Sequence, residues 1–350
     1  MTGTVHVVGT SGVGDALVAL LADFQTELGI NAVTFHKRSV TIHDRPRLKA
    51  LLDKGATLSV DPGALRTVEE LGLDAALQPQ QALENAHVVV DCTPFAQRHK
   101  NELYGGLENA RGFVALDADA GFGSALCQGI NHQSLRRGAD RYLRIPDVMA
   151  QGMATLVHAL SNTGKHAVDD ASFVCLRRGA DVAAGSDMLA SPAARAHDDG
   201  EFGTAAAREA HEVLHQSGVM TALNASELEL NSQIMDVLHF KVRLKEQAGL
   251  TEVIRRLSTH GRVAMTESLS PNPVFGFARD HGYLGRLFNA LVVSRPTLRV
   301  HRNNEVVGVA FVPADGTVLY SALAAAVWQL EPESSVRLLD VLGPYVFKEV

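Results

Sequence analysis

Cysteine is scarce in this chain of 350 residues. There are three (Cys92, Cys127 and Cys175), an odd number, widely spaced and without a Cys-x-x-Cys pair. That excludes a disulfide framework and suggests a reducing compartment. Basic charge is not in excess either. A formal charge of −7 argues against nucleic acid or an anionic membrane as partner. No uninterrupted apolar run is long enough to span a bilayer, and the first strand starts so close to Met1 that no signal peptide is expected. Internal repeats and low-complexity tracts are absent. What is there is an ordinary soluble composition, 46% hydrophobic and 20% charged, with enough length for two domains and a large core. The expectation is a cytoplasmic protein.

The sequence is organised around residues 4–24, TVHVVGTSGVGDALVALLADF. An apolar run (Val5, Val7, Val8) meets Gly9. After a Ser/Gly loop, Leu17, Leu20, Leu21 and Phe24 recur at i, i+3, i+4 and i+7, the spacing of a helix that lays one stripe on a sheet. Strand, glycine turn and helix N-terminus form the start of a Rossmann unit, where backbone N–H groups and the helix dipole favour a pyrophosphate. The fingerprint G-x-G-x-x-G reads Gly9-Thr10-Ser11-Gly12-Val13-Gly14, with serine at the middle glycine. Ser11 is small and can donate a hydrogen bond, so these six residues are expected to bind a dinucleotide.

A second strand, 30–35, ends in His36-Lys37-Arg38. An acidic residue near this point holds the ribose 2′-hydroxyl of NAD, whereas basic residues accept a 2′-phosphate. Lys37 and Arg38 therefore point to NADP, with NAD possible and a solvated basic turn as the alternative. Helices are expected over 45–54 and 62–73. Residues 86–90 are a continuous apolar run of the kind buried in a parallel sheet. The run ends in Asp91-Cys92-Thr93-Pro94. At the carboxyl end of a parallel strand this turn should line the cofactor crevice, with Cys92 as a packing residue. A strand over 113–116 and an acidic, glycine-rich connection over 117–124 follow.

Past residue 144 the pattern changes. A helix is expected over 148–160 with Asp147 as its natural N-cap. A strand over 171–176 leads into Arg177-Arg178-Gly179-Ala180-Asp181, and an Ala-rich helix over 204–216 stops at Gly218. Residues 234–244 alternate strictly, with Leu238, Phe240, Val242 and Leu244 on one face and His239, Lys241 and Arg243 on the other. This reads as a strand of a half-exposed, antiparallel sheet with a cationic face. A helix over 250–259, strands over 262–266, 298–302 and 305–311, a turn at Asn303-Asn304, and a helix over 319–330 returning to the first domain complete the expectation. The expected division is a Rossmann domain of 1–144 with 316–350, and an α+β domain of 145–315 with a mainly antiparallel sheet.

Asp91-Cys92-Thr93-Pro94 closing one strand, and Arg177-Arg178-Gly179-Ala180-Asp181 closing another, together resemble the archaeal-type (class II) glyceraldehyde-3-phosphate dehydrogenases over most of the chain. The resemblance implies an α/β protein with a Rossmann domain and an α+β catalytic domain, dual or NADP-leaning cofactor use, and a homotetramer, so a homo-oligomer (dimer or tetramer) is expected. In that family a cysteine in a Ser-Cys-Asn-Thr-Thr-Gly segment opens the first catalytic-domain helix and attacks the aldehyde. Here the segment reads Ile145-Pro146-Asp147-Val148-Met149-Ala150-Gln151-Gly152, with Asp147 at the nucleophile in an ungapped match and Val148 there after a one-residue slip. Thioester formation needs a thiolate, so the phosphorylating aldehyde reaction is not expected. The resemblance gives His239, in Leu238-His239-Phe240, the role of the base that aids hydride transfer, which suits an imidazole. It gives Arg177 and Arg178 the binding of a phosphate or carboxylate, which suits guanidinium forks. Structural ion pairs and a solvated strand face are the alternatives. The family's His-His-Gly is reduced to His197-Asp198-Asp199-Gly200, and its last strand is replaced by residues 308–313.

His211-Glu212-Val213-Leu214-His215 reads as H-E-x-x-H, whose histidines share a helix face and can hold zinc. Gln216-Ser217-Gly218 ends the helix without the metzincin extension, and no metal is expected. The functional expectation is an NADP-dependent oxidoreductase exchanging hydride with a carbonyl or imine of a small anionic metabolite. His239 would be the proton carrier, Asp147 would orient the substrate, and Arg177 and Arg178 would hold its anionic group. The alternative is a dinucleotide-binding homologue without turnover.

Overall fold

A computed structural model describes residues 3–10, 12–116, 118–161, 167–179 and 191–350. Ser11 of the glycine loop, and Ala180 and Asp181 of the second motif, lie outside the described residues. The chain divides into two compact units. Unit 1 comprises Met1–Leu126, Leu135–Ile145 and Val318–Leu342, and unit 2 comprises Cys127–Ser134, Pro146–Thr317 and Gly343–Val350. Relative to the expected division, residues 127–134 and 343–350 fall with the second unit. Among the described residues no helix is long and apolar enough to cross a membrane.

Unit 1 contains, in order, β1 (Gly3–Val8), α1 (Val13–Asp23), β2 (Ile30–Lys37), α2 (Arg45–Asp53), β3 (Thr57–Val60), α3 (Leu65–Glu70), α4 (Pro79–Glu84), β4 (Val88–Asp91), α5 (Ala96–Glu102), β5 (Gly112–Ala115), β6 (Ser124–Ala125) and β7 (Tyr142–Arg144). The strands form one sheet in the order β3-β2-β1-β4-β5-β7-β6, and every pairing is parallel. This is a Rossmann-like sheet. Its apolar runs do what a doubly covered strand requires, with Val5, Val7, Val88, Val89 and Val90 wholly buried. The chain moves outward from β1 to β3 and then restarts on the other side at β4. The carboxyl ends of β1 and β4 thus flank the switch point where such sheets take ligands.

The expected helix over 62–73 shrinks to α3, preceded by a 3₁₀ turn over Pro62–Ala64. Strands β3 and β7 were not expected; at four and three residues they carry too little pattern to stand out. The returning helix, α10 (Ala314–Leu330), begins at Ala314 rather than 319. In unit 1 its end is tied in by Gln329, whose amide donates to the Asp140 carbonyl at 2.8 Å. The same side chain occupies the space a Cβ on Gly112 would need, 2.0 Å from Gln329 Cδ. Arg111 donates to the Leu330 carbonyl at 3.1 Å.

Unit 2 contains α6 (Val148–Leu160), β8 (Val168–Arg178), β9 (Ala193–Ala194), α7 (Ala205–Gln216), β10 (Ala222–Leu230), β11 (Asp236–Leu244), α8 (Leu250–Thr259), β12 (Val263–Thr266), α9 (Pro271–His281), β13 (Leu291–Ser294), β14 (Arg299–His301) and β15 (Glu305–Val312). Its sheet runs β12-β13-β15-β11-β8-β10-β9, with β14 on β15. The sheet is mixed and, as expected, mainly antiparallel: β8–β10 and β12–β13 pair parallel, and the other five pairings are antiparallel. Helix α6 lies on β8, β11, β13 and β15, and α7 lies on β10. The face they meet carries Phe173, Cys175, Leu238, Phe240 and Val242, all buried, and the alternation expected for 234–244 holds along β11. Strand β10 was not expected, since Ala, Ser and Glu at alternate positions give it little strand propensity. At the β14–β15 turn the left-handed residues are Arg302 and Asn303 (φ 51° and 62°), one position earlier than the expected Asn303-Asn304.

Candidate functional site

The glycine loop between β1 and α1 is shaped by three glycines, two of them in close contacts. Gly9 has φ 88°, and a Cβ there would lie 2.7 Å from Thr93 Cγ2. Gly14 opens α1 so close to the strand end that its Cβ would meet the Gly9 carbonyl oxygen at 2.2 Å. Gly12, the N-cap, has φ 61° and open space where a Cβ would stand. A tight turn, a close helix–strand approach and an open glycine over the helix N-terminus are the features that let backbone amides meet a pyrophosphate. Thr10 is buried, and its hydroxyl has no hydrogen-bond partner among the described residues. Gly9, Thr10, Gly12, Val13 and Gly14 thus fit a dinucleotide phosphate.

At the end of β2 the two basic residues part company. Lys37 Nζ lies 3.0 Å from Asp44 Oδ1 in an ion pair. Arg38 is exposed and lines a cavity of about 510 Å³ at the carboxyl ends of β1, β2 and β4. Of the two residues expected to meet a 2′-phosphate, Lys37 is thus held by Asp44, while Arg38 lines the cavity.

Asp91-Cys92-Thr93-Pro94 does line this cavity, through Thr93 and Pro94. Asp91 itself was not foreseen. Its carboxylate is wholly buried and accepts from four donors: Thr93 N at 2.9 Å and Thr93 Oγ1 at 2.7 Å, His99 Nδ1 at 2.7 Å, and Tyr104 OH at 2.6 Å. Those bonds fix the turn after β4 and the imidazole of His99, which lies on the cavity wall. His6 and His36 line it too. The signal available in the sequence was an acid ending an apolar run, with histidine and tyrosine shortly downstream. Cys92 packs beneath the helix start, 3.4 Å from the Cβ position of Gly14.

None of the three thiols is available as a thiolate at neutral pH. Burial and then Asp91 raise the Cys92 pKa, burial pushes Cys127 up to about 11, and burial pushes Cys175 up to about 12.

In unit 2 the candidates for substrate chemistry are engaged with one another. Asp147 caps α6, accepting from Met149 N at 2.8 Å, as expected from its place before the helix. The same carboxylate receives Arg177 in a fork, Nη1 to Oδ2 at 3.0 Å and Nη2 to Oδ1 at 2.9 Å. Arg177 Nε lies 2.7 Å from Glu227 Oε1, and Arg195 Nη1 lies 3.3 Å from the same oxygen. The physical reason is register. Arg177 continues the Phe173–Cys175 face of β8, Glu227 sits at a buried position of β10, and α6 covers that face. Arg177, expected to bind a substrate anion, and Asp147, expected to orient the substrate, are thus joined to each other in a helix-capping ion-pair network. Arg178 Nη2 is 3.0 Å from Asp315 Oδ1, and its backbone N–H donates to Asp236 at 2.8 Å.

If the network is structural, Arg177→Ala should lower the melting temperature through a loss of about 3–5 kcal/mol, the cost of stranding a buried partner. Asp147→Ala combined with Arg177→Ala should cost less than the sum of the two single changes. Additive losses in thermal denaturation would refute the coupling.

His239 is exposed on the face of the sheet opposite α6, between Val174 and Val309 on the neighbouring strands. Lys241, on the same face, pairs with Glu305 at 3.4 Å, and Arg243 pairs with Asp170. On α7, His211 and His215 share a face with ring centroids 6.2 Å apart, and His211 lies against Phe202. Glu227 and Glu229 of β10 are bound to Arg177 and Arg195.

No protein-family model matches the chain, and no curated protein sequence matches it.

Proposed function

We propose that this protein is an NADP-dependent oxidoreductase resembling the class II glyceraldehyde-3-phosphate dehydrogenases but working without a cysteine nucleophile. Its substrate is a carbonyl or imine on a small anionic molecule. The observation that carries the reading is the glycine loop, where Gly14 meets the Gly9 carbonyl and Gly12 leaves open space at the start of α1. The cofactor supplies or accepts the hydride. The chain's own part is to hold it: amides at the start of α1 face the pyrophosphate, and Arg38 takes the 2′-phosphate. The three raised thiol pKa values support a reaction with no thioester. For proton transfer the candidate is His239, which keeps its ring free among the described residues.

A second reading, a dinucleotide-binding protein without turnover, is favoured by the closure of Arg177 on Asp147 and Glu227. One experiment separates the two. NADPH and NADH are titrated into the protein by calorimetry or by Trp328 fluorescence, and anionic aldehydes, ketones and imines are then screened for NADPH oxidation. Selective NADPH binding with oxidation supports the enzyme, and binding without any turnover supports the second reading. Binding of neither cofactor refutes both.

Cofactor choice gives a sharper prediction. Arg38→Ala should weaken NADPH binding about 10- to 100-fold, the value of a charge-assisted contact, and leave NADH nearly unchanged. Lys37→Ala should do far less, because Asp44 already holds that charge. Equal losses for both cofactors would remove the 2′-phosphate from Arg38.

A further inference from the structure

A second cavity, of about 510 Å³, lies wholly within unit 2, where α6, α7 and α8 end. Its volume falls in the range of small-molecule sites, about 300–1,000 Å³. Helix α6 has 13 residues, a length of roughly 20 Å. The cavity at its C-terminal end is therefore a whole helix away from Asp147 and its ion pairs.

Two histidines on the wall have their hydrogens assigned by the bonds they make. The Arg262 N–H donates to His260 Nδ1 at 3.2 Å, so the His260 hydrogen sits on Nε2. That nitrogen lies 3.1 Å from His158 Nδ1, which accepts, and the His158 hydrogen is thereby placed on Nε2. Burial, then His158, Arg262 and Lys348, lower the His260 pKa to about 3, and burial, then His132, lowers that of His158. Both rings are neutral at pH 7. His158 Nε2–H is the donor this chain of bonds leaves over, and a nitrogen carrying hydrogen is not a metal ligand.

Arg256 is the one lysine, arginine or carboxylate among the lining residues, and it is 5% exposed. Its Nε donates to Glu252 Oε1 at 2.8 Å and its Nη1 to the Leu160 carbonyl at 2.9 Å, and neither bond uses Nη2. Glu252 also holds Arg255, so one carboxylate answers two guanidinium groups. The helix C-termini carry partial negative charge that opposes an anion. Arg256, on the Leu160 carbonyl, and Lys348, 3.4 Å from the Ser258 and His260 carbonyls, are the cations set against it.

Three hydroxyls complete the polar wall, and each spends its proton on its own helix end. Ser161 donates to the Val157 carbonyl at 2.8 Å, Ser217 to Leu214 at 2.7 Å, and Thr259 to Arg256 at 3.1 Å. A hydroxyl used in this way keeps only lone pairs for a ligand. The side chains of the wall thus offer donors from His158 and Arg256, and acceptors from three hydroxyls. A phosphate brings three strong acceptor oxygens, more than those two side chains serve. A carboxylate brings two, and hydroxyls elsewhere on the ligand can donate to the serine and threonine oxygens.

We infer that this cavity binds a small polyhydroxylated monocarboxylate. Its carboxylate lies at His158 and Arg256, and its hydroxyls donate to Ser161, Ser217 and Thr259. The site stands whether or not the glycine loop of unit 1 takes NADP.

The test is calorimetric titration of the whole protein with sodium D-gluconate, beside D-glucitol, sodium acetate and inorganic phosphate. D-Glucitol keeps the hydroxyls without the charge, and acetate keeps the charge without the hydroxyls. Gluconate should bind, and each of the other three should bind about tenfold more weakly. His158→Phe should weaken gluconate about tenfold and Ser217→Ala several-fold, each checked by thermal denaturation. No binding of gluconate by the wild type overturns the assignment, and so does wild-type affinity in both variants. Acetate or D-glucitol bound as well as gluconate, or phosphate bound more tightly, overturns the hydroxy-acid class. His158→Phe also takes the acceptor from His260, whereas Ser217→Ala removes one oxygen from a half-buried helix end. The serine variant therefore decides the matter if the histidine variant does not fold.

Discussion

Gly14→Ala is expected to cripple NADPH binding. A methyl at this position would sit 2.2 Å from the Gly9 carbonyl oxygen, and that atom belongs to backbone, with no flexible side chain to swing away. Either the start of α1 retreats from β1 or the loop opens, and overpacking of this kind costs about 1–3 kcal/mol. A loop displaced by that strain loses the alignment of its amides. The same energy taken from binding amounts to roughly 5- to 150-fold in Kd. The neighbouring Gly12→Ala is the comparison. Nothing lies within 4 Å of its Cβ position, so the added methyl meets no protein atom. It should cost only the left-handed backbone penalty of about 1–2 kcal/mol while standing where a pyrophosphate approaches. Calorimetric titration with NADPH is read beside a melting curve: each variant should melt a few degrees lower, and each should lose affinity for NADPH. A Gly14→Ala protein with the affinity and melting point of the wild type would mean that the loop is not the binding element.

The second large effect is expected at Asp91. Its buried carboxylate answers four donors on Thr93, His99 and Tyr104, so Asp91→Leu strands the Tyr104 hydroxyl in the interior and leaves the half-buried Thr93 and His99 without their acceptor. Breaking a buried polar cluster by removing its acceptor costs about 3–5 kcal/mol, a fall in melting temperature on the order of 10 °C. Asp91→Asn keeps one acceptor oxygen and should cost less, as should Tyr104→Phe. Differential scanning calorimetry reads both. A shift of less than about 2 °C for Asp91→Leu would show that the cluster is held from elsewhere.

Much of unit 1 was legible because its signals are local. The strand, glycine turn and helix stripe of 4–24 lie within one stretch, and four buried residues in a row announce β4. Asp147 as a cap was legible for the same reason. Partners supplied across the fold were not. Arg177 reads as an anion fork until β10 and α6 set Glu227 and Asp147 beside it, and neither is near it in sequence. Lys37 and Arg38 are adjacent and chemically alike, yet only the fold decides which of them Asp44 neutralises. His6 looked like one more residue in an apolar run. The cavity it lines is made by five separate segments. Short strands such as β3 and β13 have too few residues to show a period, and β10 carries a buried glutamate that breaks the pattern expected of its inner face.

The last strip of unit 1 has a consequence for how the protein is made. Gln329 fills the gap beside Gly112, and the Leu330 carbonyl holds Arg111, so the parallel sheet is completed by residues translated long after its strands. At ribosomal speed the emerging strands wait on the order of ten seconds or more for that helix. During that interval apolar surface destined for burial is open to chaperones and to other nascent chains. A fragment ending at residue 145 would keep that surface for good, and it should be recovered from cells in the insoluble fraction.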